Sequence, residues 1–83
     1  MNKEQSYPID FEAYDTDELV DLVEFLSLIE KHHASAESVS KETLRAAHRR
    51  FREILNNVSE EKRIDKAFQK QTGISIYKTM KNL

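Results

Sequence analysis

Three histidines are the first candidates for chemistry in this sequence, because imidazole binds metals and transfers protons near neutral pH. His32 and His33 are adjacent, so on a helix they point in different directions, and His48 follows fifteen residues later within an apolar pattern. This spacing does not match a set of metal ligands. We expect no metal site, with His32 and His33 at a helix C-terminus and His48 at the edge of the core.

A second candidate is the carboxylate group of Asp17, Asp21 and Glu24, whose spacing places them on one helical face. Such a cluster transfers protons when part of it is buried, but its setting here is polar. The chain also has no cysteine and no glycine-rich phosphate loop, and no nucleophile is paired with a base. We therefore expect no catalytic residues and no cofactor, and we predict that the protein is not an enzyme.

The strongest concentration of positive charge lies in the predicted second helix. Lys41, Arg45, Arg49 and Arg52 recur at steps of four and three residues and share one flank, here called the basic stripe, whereas Arg50 lies on another flank. Three interpretations are open: neutralisation by nearby acidic residues, binding of an acidic protein, and binding of nucleic-acid phosphates. Exposed charge is common, so neutralisation is the simplest interpretation, and we rank a protein partner above nucleic acid.

Residues 60–83 have the outline of a helix-turn-helix, with Gly73 at the turn and Ile74 after it. Close packing of two such helices requires a small residue four positions before the glycine and an aliphatic residue six positions after it. The sequence has Gln69 and Thr79 at those positions. Nucleic-acid binding through this segment or through the basic stripe is therefore the alternative function, ranked below protein binding.

The composition limits the structures to which these residues can belong. Eighty-three residues form one domain at most. Hydrophobic residues make up 39% of the chain and charged residues 34%, and this composition predicts a folded chain with a thin core. One glycine and one proline leave few turn-forming residues, which favours an all-α fold. No segment approaches the roughly 20 apolar residues of a membrane helix, so we expect a cytoplasmic protein with no membrane partner.

The net charge of −2 conceals a strong asymmetry along the chain. Residues 1–30 contain nine acidic residues and one basic residue, whereas residues 31–83 contain six acidic and twelve basic residues. Such a chain either pairs its two halves internally or presents them to partners of opposite charge.

Hydrophobic periodicity predicts three main helices and a short fourth, at about 17–33, 41–56, 60–72 and 76–82. The predicted N-caps, in chain order, are Thr16 or a capping box of Asp15 and Glu18, then Ser40, Ser59 and Ser75. Gly73 suits the left-handed residue that ends the third helix. The four segments differ in length and charge, so they are not repeats.

The apolar positions of each helix predict which face is buried. In the first helix the expected core residues are Leu19, Leu22, Val23, Leu26 and Ile29. Phe25 and Leu28 fall outside this stripe, so either the core extends unusually far around this helix or they form an exposed surface that binds a partner or a second copy in a weak homodimer. In the fourth helix Ile76, Tyr77, Met80 and Leu83 are expected to share one face.

Residues 1–15 lack helical periodicity and predict an extended arm. Tyr7, Ile9 and Phe11 alternate around Pro8, which favours an extended backbone, and Tyr14 follows. We expect this arm to pack across the helices, because its apolar side chains would otherwise stay in water.

Five segments together make the sequence resemble uncharacterised protein family 0223 of short bacterial proteins; they are Tyr7–Asp10, Tyr14–Val20, Arg49–Ile54, Glu60–Lys62 and Thr72–Lys78. The resemblance implies an all-helical, single-domain, cytoplasmic protein with no assigned activity, cofactor or catalytic residue.

These observations converge on a helical protein-interaction or regulatory module of 83 residues, acting as a monomer or a weak homodimer. The candidate interaction residues are Lys41, Arg45, Arg49, Arg52, Phe25 and Leu28. The partner is expected to be a protein.

Overall fold

The computed structural model describes residues 7–83, which form four α-helices joined by short links. The helices are α1 (Thr16–Ala34), α2 (Lys41–Leu55), α3 (Val58–Thr72) and α4 (Ile76–Lys81), with a 3-10 turn at Ala36–Ser38. No strand occurs within this described part. The predicted all-α architecture of three main helices and a short fourth is confirmed.

Side-chain caps fix where each helix begins. Asp15 and Glu18 form a reciprocal capping box on α1, so the cap is Asp15 and not Thr16. Ser40 and Ser75 cap α2 and α4 as predicted.

The prediction that Ser59 caps α3 is wrong. The Asn57 side chain accepts the Glu60 N–H at 3.0 Å, and α3 therefore begins at Val58. Asn56 adopts a left-handed conformation with φ 46° and ends α2 immediately before this cap. The link between α2 and α3 therefore consists of only two residues, Asn56 and Asn57.

The core lies where α1 meets α2, and α3, α4 and the arm complete it. Its fully buried side chains are Leu22, Phe25, Leu26, Ile29, Leu44, Ile64 and Phe68, with Phe51 nearly so. Leu19 and Val23 are only partly buried. The buried sector of α1 is therefore rotated from the predicted stripe toward Phe25.

Phe25 was predicted as a surface residue, and the structure contradicts this. Its side chain is 0% exposed, and its ring lies 4.7 Å from that of Phe51 and 5.4 Å from that of His48. Because α2 packs against the flank of α1 that carries Phe25, the core extends beyond the aliphatic stripe. Phe25 is therefore a core residue with no accessible surface for a partner.

The described part of the arm lies across the helices. Ile9 is only 7% exposed and belongs to the core, while the Tyr7 hydroxyl donates to Glu30 Oε1 at 2.6 Å and its ring lies 6.1 Å from Phe68. Burial and this hydrogen bond raise the pKa of Tyr7 to about 12. Phe11, however, remains 51% exposed. Residues 1–6 of the predicted arm lie outside the described residues.

The link between α3 and α4 is short and well bonded. Gly73 takes φ 81°, the left-handed conformation that its lack of a Cβ favours, and the Asp65 carboxylate accepts the Ile76 N–H at 2.8 Å. Ile76 is buried, but Tyr77 is 66% exposed, contrary to the prediction that the two side chains share one face of α4. A six-residue helix lying against α3 buries only a narrow face, and Tyr77 lies beside that face.

Candidate functional site

The basic stripe is solvent-exposed along the outer flank of α2. Arg52 Nε lies 3.3 Å from Glu61 Oε1 of α3. Within residues 7–83, Lys41, Arg45 and Arg49 have no carboxylate oxygen within 4 Å of their charged nitrogens. Among the described side chains, neutralisation of the stripe by direct ion pairs is thus confined to Arg52.

The acidic face of α1 pairs with a different arginine. Arg50 Nε donates to Asp21 Oδ2 at 2.8 Å, and this hydrogen bond raises the pKa of Arg50. Asp17 and Glu24 are exposed. The contact between α1 and α2 therefore uses the flank that carries Arg50, and it leaves the basic stripe on the other side of α2.

A groove of about 780 Å³ opens between α2, α3 and α4, and two members of the stripe, Arg45 and Arg52, line it. Its apolar lining includes Phe51, Ile76 and Met80. This surface, which we call the α2–α4 groove, was not predicted, because it combines residues from three helices that are up to 36 positions apart in the sequence.

Two exposed apolar residues lie at the edges of the α2–α4 groove. Val58 at the start of α3 is 59% exposed, and Tyr77 of α4 is 66% exposed. They are two of the four large hydrophobic side chains that are exposed in the described part of the chain; the other two are Phe11 and Val20. The groove thus places apolar surface beside positive charge.

The α2–α4 groove carries a net positive charge. Its lining contains five basic and two acidic residues, namely Arg45, Arg52, Lys62, Lys78 and Lys81 with Glu61 and Asp65. Both carboxylates are engaged, Glu61 by Arg52 and Asp65 by the Ile76 N–H. The remaining cations create a field that attracts anionic groups.

His48 lines the α2–α4 groove and contacts the core at the same time. Its ring is half-buried: one side lines the groove, and the ring stacks on those of Phe25 and Phe51. Burial lowers the pKa of His48 below its ordinary 6.5, and the charge of Arg52 lowers it further. The folded protein therefore favours the neutral imidazole.

This environment predicts that acid weakens the fold through His48. The unfolded chain takes up a proton at His48 as pH falls below about 6.5, whereas the folded chain takes it up only at lower pH. The His48 contribution to stability is thus complete above pH 6.5 and is lost progressively below it. We expect the free energy of unfolding, measured in urea, to fall less steeply between pH 7.5 and pH 5 in His48→Gln than in the wild type.

The matched control is Ala46→Gln, because Ala46 is exposed on the same helix as His48 and neither alanine nor glutamine ionises. It should retain the wild-type dependence of unfolding free energy on pH. An identical slope for wild type and His48→Gln would contradict the assignment.

The remaining predicted residue, Leu28, lies on a separate surface. It lines a shallow depression of about 460 Å³ on α1, together with Phe11 and Val20. The structure therefore does not bring Leu28 and the basic stripe into one site.

Neither the carboxylates nor the histidines converge in the part of the chain that the structure covers. No group of three His, Asp or Glu side chains among residues 7–83 is placed to hold a metal ion. None of these helices is both long and apolar enough to cross a membrane.

Comparison with known proteins relates nearly the whole chain to one family. The profile of an uncharacterised protein family (UPF0223) matches residues 4–83. A UPF0223 protein of Oceanobacillus iheyensis is 43% identical over 75 residues, which are 90% of this chain and 82% of that protein. UPF0223 proteins of Bacillus cytotoxicus and Streptococcus gordonii are 38% and 36% identical, over 93% and 96% of this chain and 83% and 84% of their own lengths. No solved structure matches.

Proposed function

The chain belongs to the uncharacterised protein family UPF0223, and on that premise we propose that it is a non-enzymatic protein-interaction module of the bacterial cytoplasm that binds an acidic partner protein. The observation that carries the proposal is the juxtaposition of Arg45 and Arg49 with exposed apolar groups. Neither arginine has a carboxylate partner within 4 Å among the described residues, and the adjoining groove exposes Val58 and Tyr77.

The mixture of charge and apolar surface favours protein over nucleic acid. Phosphate binding depends chiefly on cations, whereas protein interfaces place aromatic and apolar side chains at their centre. The groove contains Tyr77 and Met80 beside its cations, and phosphate contacts alone would leave this apolar surface uncovered. An acidic protein segment with apolar residues satisfies both parts of this surface.

The chemistry of the groove supports binding more than catalysis. The imidazole of His48 lines the groove and stacks on the rings of Phe25 and Phe51, and burial and the charge of Arg52 lower its pKa. None of the side-chain hydrogen bonds among the described residues joins His48 to a serine or carboxylate, so it lacks the partner that activates a nucleophile.

Charge reversal at the stripe tests this function. We expect Arg45→Glu combined with Arg49→Glu to reduce capture of the partner protein from nuclease-treated bacterial lysate at least tenfold, because two attractive contacts become repulsive. The captured protein is then purified, and direct binding is measured by calorimetry with wild type and variant.

The matched control reverses two exposed basic residues with the same spacing, Lys66→Glu with Lys70→Glu on α3, neither of which lines the groove. It should retain binding. Capture that disappears after nuclease treatment would instead indicate nucleic acid, with a salt dependence of roughly 0.9 log units per phosphate contact on duplex DNA. Equal capture by all three proteins would contradict the proposal.

A further inference from the structure

We infer that the acidic partner binds as an amphipathic helix, with its apolar side in the α2–α4 groove and its carboxylates against the basic residues around it. This inference rests on the proposed function and adds the conformation and sequence pattern of the bound segment.

The shape of the α2–α4 groove favours a helix over the other common forms of bound peptide. Addition of a strand requires an exposed sheet edge, and residues 7–83 contain no strand. Polyproline segments bind between exposed aromatic rings, and Tyr77 is the single exposed aromatic residue of this groove. An open groove with helices on its sides instead matches an amphipathic helix that places anchors every three or four residues.

The apolar groups that could contact such anchors come from two helices of the groove, α3 and α4. Val58 lies at the start of α3 and Tyr77 at the start of α4, with the partly buried Met80 one helical turn beyond Tyr77. Methionine is flexible and polarisable, so it fits anchors of different shapes. These contacts would exclude water from the apolar side of a bound helix.

The charges define the flanks of the bound helix. Arg45, Lys62 and Lys78 line the groove, and none has a carboxylate oxygen within 4 Å among residues 7–83. Lys81 also lines the groove, and its Nζ lies 5.9 Å from the centroid of the Tyr77 ring. Asp or Glu side chains on both sides of the apolar face would meet these cations, whereas a basic helix would be repelled.

The wall that α4 provides is held in place before binding. Asp65 accepts the Ile76 N–H, Ser75 caps α4 by accepting the Lys78 N–H at 3.2 Å, and buried Ile76 anchors the first turn. A preformed wall lowers the ordering cost of association, which suits a groove that binds one class of segment.

Selection from a peptide library tests the inference. The probe is a displayed library of randomised 16-residue peptides, selected on the full-length protein and sequenced. We expect enriched peptides to combine Asp or Glu with apolar residues that recur every three to four positions, and one of them, synthesised, to become helical by circular dichroism on binding.

The pattern among the enriched peptides separates this inference from the proposed function. Acidic peptides without helical periodicity would contradict the bound helix while leaving the acidic partner supported. Basic peptides, or no enrichment over a column without protein, would contradict both.

A matched pair of variants then locates the binding site. With the synthesised peptide, we expect Val58→Ser combined with Tyr77→Ser to raise the dissociation constant at least tenfold, because both apolar edges of the groove are lost. The control, Phe11→Ser with Val20→Ser, removes two large, exposed apolar side chains that lie outside the groove. All four positions are exposed, so folding should persist and is checked by circular dichroism. Unchanged affinity in Val58→Ser/Tyr77→Ser would overturn the assignment to the groove.

Discussion

Replacing Phe25 with alanine is expected to lower the free energy of unfolding by about 3–5 kcal/mol, the range for a large aromatic side chain removed from a packed core. Phe25 is fully buried and its ring is in contact range of both Phe51 and His48. The truncation would leave a cavity where α1 meets α2, the most extensive helix contact of the fold.

Urea unfolding measures this effect, with Val20→Ala as the control on the same helix. Val20 is 57% exposed, and its truncation should change the unfolding free energy by less than about 0.5 kcal/mol. A domain of this size has a total stability of roughly 4–12 kcal/mol, so Phe25→Ala can leave much of the protein unfolded. Phe25→Leu, with an expected loss below that of alanine, keeps the test quantitative. Equal stability of Phe25→Ala and Val20→Ala would show that Phe25 is not a core residue.

Replacing Ile9 with alanine is expected to lower the free energy of unfolding by about 2–3 kcal/mol, near the lower end for buried isoleucine. Ile9 is 7% exposed and joins the core from a segment without helical structure. A loss of this size would establish that the arm is part of the folded unit.

The control lies two residues away on the same arm. Phe11 is the larger side chain, yet it is 51% exposed, so Phe11→Ala should cost less than about 0.5 kcal/mol. Chemical denaturation of both variants measures the difference. If Phe11→Ala destabilised the protein as much as Ile9→Ala, side-chain size and not burial would determine how much each arm residue contributes to the free energy of unfolding.

The contrast between Phe25 and the aliphatic residues of α1 shows where sequence reasoning reaches its limit. Leu22, Leu26 and Ile29 were predicted to be buried and are 0% exposed, because any neighbour covers the centre of an apolar stripe. Phe25 lies at its margin, and its burial depends on the direction from which α2 approaches. Leu19 and Val23, at the opposite margin, are only partly covered for the same reason.

The candidate site shows the same division between local and distant interactions. The spacing of Lys41, Arg45, Arg49 and Arg52 predicted a common exposed flank, and the structure shows one. Whether acidic α1 neutralises it depends on the rotation of α2, which directs Arg50 to Asp21. The groove beside the stripe was not predicted, since Val58, Tyr77 and Met80 meet the stripe only after α3 and α4 have packed.

The sequence by itself therefore determined the elements of this protein: four helices, caps at Ser40 and Ser75, the left-handed turn at Gly73 and the opposite net charges of the two halves of the chain. These features depend on hydrogen bonds and side-chain periodicity within a few residues, which the order of amino acids specifies directly. Only the tertiary structure decided that Phe25 is buried, that Arg50 is paired and that a basic groove with apolar edges faces solvent. Those outcomes depend on how helices rotate against one another, and that rotation is set by the packing of the whole core.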